Sequence, residues 1–270
     1  MTLKDLHAPP LRDARYLQTL ILIIYAFVAR AFFNFERPHF AALICVAWAV
    51  ALDLFIGKFY FKKVLFPLSA VIIGLSASIL IDPDHWSYFL IVVTAAVLSK
   101  ALITYRGKHF FNPTNFGVVL AIQLLPNHVA AIPHLFSGYL WPSVVFAVLG
   151  LLTVVLARQT AVSFSWTAGF IAVALYRASR AGSNVWVAFG PLLSSSFLLF
   201  TFHMISDPGT TPRTWRMQIA FGLMAAFIDG LLRVYQVPHG QFYALFVVSA
   251  TLCWFRAYEE RAVPAIGTKT

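Results

Sequence analysis

Long apolar runs alternate with short polar breaks along the chain, and the runs are continuous rather than alternating. Residues 16–34, 40–57, 64–82, 86–105, 113–126, 138–157, 160–177, 185–205, 217–235 and 238–257 each read as an apolar helix. Most approach the ~20 residues needed to cross a hydrocarbon core. A transmembrane barrel would show alternating segments of about ten residues instead. The run at 113–126 is short and ends at Pro126, so it reads as a half-helix or a re-entrant segment. The pattern predicts an all-α polytopic membrane protein with about ten transmembrane helices. A polar tail at 1–15 precedes a single transmembrane domain at 16–257, and a second tail covers 258–270. No cleavable leader is expected, because the first 15 residues are polar and the first apolar run flows into further spans.

Two of the breaks carry proline motifs. One is Lys108-His109-Phe110-Phe111-Asn112-Pro113-Thr114-Asn115-Phe116-Gly117, the other His203-Met204-Ile205-Ser206-Asp207-Pro208-Gly209-Thr210-Thr211-Pro212. Broken backbone at membrane depth persists only where protein buries it or where it lines a cavity. Such breaks are where transporter-like folds place their ligands. Broken or half helices are therefore expected at 112–117 and 206–212, within a two-fold internal repeat that matches span 86–105 with span 185–205. A parallel repeat follows if the fifth segment crosses fully, an inverted one if it is re-entrant. A helix mouth at Asn115 or near Trp215 offers unpaired N–H groups and partial positive charge. Lys100, Arg106, Lys108, Arg213 and Arg216 add positive charge on that side. Asn112, Thr114, Asn115, Thr210 and Thr211 supply neutral hydrogen-bonding groups, and Asp207 a carboxylate. Phe110, Phe111, Phe116 and Trp215 could stack on a planar ring. The plain alternative is that the Asn and Thr residues cap their own helices and the aromatic residues sit in an interfacial belt.

Composition agrees with the pattern: 60% hydrophobic, 11% charged, mean hydropathy +0.78. Lys4, Arg12, Arg15, Lys58, Lys62, Lys63, Arg106, Lys108, Arg158, Arg213, Arg216, Arg256, Arg261 and Lys269 fall on one side of an even number of crossings. Arg37, Arg177, Arg180 and Arg233 fall on the other. The bias puts both termini and both proline motifs in the cytoplasm, with Asp84 and His134 outside. The net charge of +10 suits anionic lipid. The basic residues are spread over loops, which argues against nucleic acid as a partner. Cys45 and Cys253 read as buried thiols, too few for a cysteine-based metal site.

Ionisable groups inside apolar runs are costly and are usually paired or functional. Arg233 follows Asp229 by one helical turn, a spacing for a local ion pair. Asp53 has no such neighbour and reads as snorkelling toward Lys58 or as a proton or cation site. Lys100, at a span end, can reach the headgroups. His203 within a span and His109 beside the first motif raise a bis-histidine haem reading. No histidines show metal-motif spacing within a helix. Ser194-Ser195-Ser196 suits close helix packing.

The order of several segments resembles a known family. Pro67-Leu68-Ser69-Ala70-Val71-Ile72-Ile73-Gly74-Leu75 precedes the turn Asp82-Pro83-Asp84. A span ending Ser99-Lys100-Ala101-Leu102 follows, then Phe111-Asn112-Pro113-Thr114-Asn115-Phe116-Gly117, and later Ile205-Ser206-Asp207-Pro208-Gly209-Thr210-Thr211-Pro212. This order resembles the RnfD/NqrB family over roughly residues 64–235. Its members are membrane proteins of the Rnf electron-transport complex and of the sodium-pumping NADH:quinone oxidoreductase (Nqr). The chain also resembles the short stand-alone members that accompany enediyne biosynthesis clusters. The resemblance implies a membrane-embedded electron-transport subunit of a bacterial-type inner membrane, with a redox partner protein or further membrane subunits. It implies a flavin or quinone site drawing on Lys100, Asn112, Thr114, Asn115, Asp207, Thr210 and Thr211. Members of the family attach FMN through a Thr in a Ser-Gly-Ala-Thr loop, which this chain lacks. The nearest string, Ser165-Trp166-Thr167-Ala168-Gly169, lies inside an apolar run. Covalent FMN is therefore not expected, and a non-covalent FMN or riboflavin stays open. A small-solute transporter or channel and a haem-binding redox protein are the alternatives.

Overall fold

The computed structural model describes residues 9–10, 13–33, 40–131, 140–182 and 184–262. The N-terminal tail up to residue 8, residues 263–270, Arg37 and His134 lie outside that set. The chain is largely helical, and the short strands that depart from the all-α expectation hold two or three residues each. Its first half runs α1 (Ala14–Phe33), α2 (Ala41–Phe59), α3 (Leu68–Leu80), β1 (Ile81–Pro83), α4 (Ser87–Leu102), β2 (Thr104–Tyr105), β3 (Lys108–His109), α5 (Pro113–Leu124) and β4 (Val129–Ala131). The second half runs α6 (Leu140–Leu156), α7 (Thr160–Ala181), α8 (Val185–Phe189), a tight turn at Gly190–Leu193, α9 (Ser195–Leu199) and a wide π-turn at Phe200–Met204. It ends with α10 (Trp215–Val234), α11 (Gly240–Ala250) and α12 (Leu252–Ala262).

Three of these helices, α2, α7 and α10, are long and apolar enough to cross a membrane. The segment from Val185 to Met204 makes a fourth if its two arms, bent by 61°, count as one span. The remaining apolar helices are shorter than the runs that announced them. The run at 113–126 condenses to the 12 residues of α5, in line with a half-helix. The run at 238–257 is not one helix, because the chain breaks at Thr251 between α11 and α12.

The halves repeat one plan. Asp82-Pro83 and Asp207-Pro208 stand 125 positions apart, as do Pro113 and Pro238. At a shift near that value α1 falls on α6, α2 on α7, α3 on α9 with the π-turn, α4 on α10 and α5 on α11. Packing follows the same plan: α1 lies on α3 and α2 on α4, as α6 lies on α9 and α7 on α10. The equivalents α1 and α6 meet each other, and so do α5 and α11. This replaces the match of 86–105 with 185–205. The fourth span of the first half corresponds to the fourth of the second, not to the broken third.

The repeat is inverted. β1 pairs antiparallel with β4, so the ends of α3 and α5 share what we name the sheet end of the bundle. The β2–β3 hairpin occupies the other end, the hairpin end. The Asp207 turn, which follows the π-turn, is also at the hairpin end, because Arg256 spans Gly209 and His109 there. Equivalent Asp-Pro turns thus cap opposite ends. α5 and α11 run antiparallel, with Gln123 Nε2 donating to Tyr243 Oη (2.6 Å) and the Phe111 and Phe246 rings stacked at 4.7 Å.

Local sequence explains the boundaries. Asn112 caps α5, its side-chain oxygen accepting from Asn115 N–H at 3.0 Å, and Pro113 fills a first-turn position that needs no donor. Ser194 caps α9 by accepting from Phe197 N–H (3.2 Å), while Ser196 accepts from Gln241 Nε2 on α11 at 2.6 Å. The serine run therefore bonds as well as packs. Gly117 lets α5 approach α4, since a Cβ there would stand 2.5 Å from the Val92 carbonyl oxygen. Trp166, Tyr25, Phe146, Phe200, Phe221 and Phe242 are the largest fully buried side chains. Trp166 Nε1 donates to Thr201 Oγ1 at 3.0 Å, so its one polar atom is satisfied.

Candidate functional site

The two proline motifs meet at the hairpin end. α4 delivers the chain into the β2–β3 hairpin, whose last residue, His109, lies against Gly209 of the second motif. A Cβ on Gly209 would stand 3.0 Å from His109 Nε2 and 3.4 Å from Asp207 Oδ1. Arg256, from α12, holds both motifs together. Its Nη2 donates to the Gly209 carbonyl (2.6 Å) and the His109 carbonyl (3.1 Å). Asn112 adds a deeper link, its Nδ2 donating to the Met204 carbonyl at 3.3 Å.

The π-turn is the other half of the junction. Ile205 N–H reaches back five residues to the Phe200 carbonyl (3.0 Å), and this widened turn leaves carbonyls without helical partners. Side chains from four elements take them. Ser163 of α7 donates to Thr201 O (2.9 Å), Gln18 of α1 to His203 O (3.5 Å), Asn112 to Met204 O, and Thr211 to Ile205 O (2.8 Å). Such stitching satisfies broken backbone in a dry interior, where each unpaired polar group costs about 1–3 kcal/mol.

Most of the motif side chains are spent on the fold itself. Asp207 accepts from Gly209 N–H (3.0 Å) and from Thr210 Oγ1 (3.1 Å), which closes the turn. Thr211 Oγ1 also faces the Asp207 carbonyl at 2.8 Å. Asn115 Nδ2 donates to the Phe242 carbonyl (3.0 Å), tying α5 to α11 across the repeats. Thr114 is buried in the first turn of α5. Lys100 does not join this group. Its Nζ donates to Asp53 Oδ1 (2.8 Å) and Ser69 Oγ (2.6 Å), linking α4 to α2 and α3. Asp53 is therefore neither solitary nor turned toward Lys58, because Lys100 pairs with it. The Asp229–Arg233 pair forms as its spacing predicts, with Nε 2.6 Å from Oδ2.

Some polar atoms on the motif segments remain open. Asn115 Oδ1 and both ring nitrogens of His203 are buried without a hydrogen-bond partner. Phe110, Phe111, Phe116 and Phe246 form one aromatic cluster beside Asn112, with neighbouring centroids 4.6–5.6 Å apart. Trp215 stays exposed with the Arg216 guanidinium over its ring. Burial lowers the His109 pKa below the ordinary histidine value. The Asp207 carboxylate opposes that shift, and Lys100 and Arg256 add to it.

The two histidines singled out for a haem have different surroundings. The His109 ring lies on the Gly209 turn, whereas His203 sits edge-on to Tyr25 of α1 at 6.2 Å. Among the described residues no three His, Cys, Asp or Glu side chains group as a metal site. Sequence reasoning missed Arg256, whose signal was weak: one arginine at the very end of the last apolar run. It also missed the shift of 125, which comparing the two Asp-Pro turns would have found. No known family model and no curated protein matches the chain.

Proposed function

We propose that the chain is a multi-pass inner-membrane electron-transport protein on the plan of the RnfD/NqrB family. In this reading it crosses the membrane ten times with both termini cytoplasmic. It binds a flavin (FMN or riboflavin) or a quinone non-covalently at the hairpin end, and passes electrons with a redox partner protein. The observation that carries the reading is the convergence of two proline motifs, one from each repeat, in one network of His109, Asn112, Asp207, Gly209 and Arg256. The Phe110–Phe246 cluster offers faces to a planar ring. Asn115 Oδ1 and His203 offer an acceptor and a donor that the fold leaves unused. Lys108, Arg213 and Arg216 are exposed basic residues of the two motif segments and suit an anionic group. A bound ring would supply the reversible electron uptake. The chain's own residues would hold it, exclude water and fix its hydrogen bonds.

In this reading Asn112, Asp207, Thr210 and Thr211 act by shaping the turn rather than by touching the ring. The chain still lacks a Ser-Gly-Ala-Thr acceptor, and Ser165–Gly169 lies within α7, so the flavin is not covalently held. The absorption spectrum of the purified protein is the test. Flavin or quinone bands in stoichiometric amount support the reading. A fluorescent band at the protein's mass after acid denaturation overturns its non-covalent form. Occupancy should fall in Asp207→Asn and hold in Asp84→Asn, an exposed carboxylate at the sheet end. Asp53→Asn does not serve as a control, because Asp53 pairs with Lys100.

A second reading is favoured by one observation. An inverted repeat with a discontinuous helix is the plan of many secondary transporters, with the site between the halves. A colourless protein that moves a small solute into vesicles would select it.

A further inference from the structure

The segments that follow the fifth helix of each repeat close over the Asp-Pro turn of that repeat, but in different ways. In the first repeat β4 pairs with β1, Asp84 N–H donates to the His128 carbonyl (3.0 Å), and His128 Nδ1 lies 2.7 Å from Asp84 Oδ2. All of these partners belong to the first repeat. In the second, α12 takes the place of β4 at the same shift of about 125 positions. Arg256 donates to Gly209 O, the counterpart of the Asp84 contact, and also to His109 O, with Lys108 O at 3.5 Å from Nη1. Gly209 belongs to the second repeat, whereas Lys108 and His109 belong to the first.

We propose that α12 is a latch on the joint between the two repeats, with Arg256 as its bolt. A guanidinium presents five donors in a planar fork, so one side chain can hold carbonyls from two loops at once. The Gly209, His109 and Lys108 acceptors are carbonyl oxygens at the end of the bundle, which water can satisfy in place of the guanidinium. Among the described residues the closing segment at the sheet end bonds within the first repeat, and the repeats meet there through Gln123 and Tyr243 rather than through a residue that grips the Asp-Pro turn. With Arg256 seated, the hairpin and the Asp207 turn move as one body. With α12 lifted, the two keep the deeper Asn112–Met204 link but lose their outer tie, and the hairpin end opens over Ser206. Opening of this kind is a hinge between rigid halves, localised in a few loop residues.

Hydrogen–deuterium exchange of the full-length protein in detergent tests the latch without any ligand, so its outcome stands apart from the electron-transport reading. Arg256→Gln should raise exchange at least tenfold in residues 103–111 and 205–211 together, and leave 81–84 and 127–131 unchanged. Arg256→Lys, which keeps the charge and loses the fork, should show the same pattern at smaller amplitude. It is read alone if the glutamine variant does not fold. In a chain with Cys45 and Cys253 replaced by serine, Ser206→Cys should be labelled by a hydrophilic maleimide only when Arg256 is changed, since Ser206 is buried. Unchanged exchange, a rise in only one of the two motif segments, or an equal rise at both ends would overturn the proposal.

Discussion

The two Asp-Pro turns hold equivalent positions in the two repeats and are held in different ways. Asp82-Pro83 sits in a two-stranded pair at the sheet end, and its neighbours Asp84 and His128 are about half exposed. Asp207-Pro208 sits in a turn whose surroundings are buried: Ser206, Thr210, Thr211, Asn112 and His203 are all below 7% exposed. The first turn is held by a strand ladder, the second by side chains arriving from α1, α7, α5 and α12. A ladder is generic and tolerates sequence change, because backbone supplies its bonds. A stitched turn depends on each donor, because no ladder replaces a lost side chain.

That difference can be broken most forcefully at Asn112. Asn112→Ala removes the α5 cap and leaves the Met204 carbonyl with only the long bond from Asp207 N–H (3.4 Å), so unfolding in detergent should show a loss of about 1–3 kcal/mol. Asp84→Ala at the sheet end should cost under about 1 kcal/mol, the usual worth of an exposed ion pair. Equal costs at the two sites would remove the distinction between the turns. Of similar size is the effect at the Lys100–Asp53 pair beside the hairpin end. Lys100→Met alone leaves a carboxylate among apolar helices and should cost about 2–3 kcal/mol, less than a fully buried pair because both groups retain some exposure. Adding Asp53→Leu should recover most of that loss, and failure to recover would mean that Lys100 does more than answer Asp53. The smallest effect concerns pH. Burial holds His109 below the ordinary value of about 6.5, so on acidification the unfolded chain binds the proton first. Stability should be complete above that value and fall as the pH drops through it. His109→Gln should flatten this part of the stability–pH curve, and a curve of unchanged slope would assign the acid sensitivity elsewhere.

How much of the molecule is legible in its sequence follows range. Asn112 as a cap, the short α5 and the Asp229–Arg233 pair all lie within one or two helical turns of sequence, where residue type fixes geometry. Lys100 and Asp53 are 47 positions apart, and no local pattern joins them. The break at Thr251 is hidden because Val248-Ser249-Ala250-Thr251-Leu252 reads as uninterrupted apolar sequence, and the hydroxyl that bonds back to Val248 O carries little polarity. The repeat is visible in sequence but matches at the wrong span, since two conspicuous proline motifs outweigh the quieter Asp82-Pro83. The motif side chains stand out in the sequence by residue type. Their use by the backbone itself is the plain alternative, and it accounts for Asn112, Asp207, Thr210 and Thr211.

Inversion also bears on how the two halves differ. Halves that share a fold but face opposite ways cannot share a charge pattern, if one side of the membrane is to receive most of the lysines and arginines. In the first half the basic residues cluster after the second and fourth helices, at Lys58, Lys62, Lys63, Arg106 and Lys108. In the second half Arg158, Arg213 and Arg216 follow the first and third, while Arg177, Arg180 and Arg233 lie near the C-terminal ends of the second and fourth. The two halves thus match in the order and packing of their helices and differ in where their charges lie.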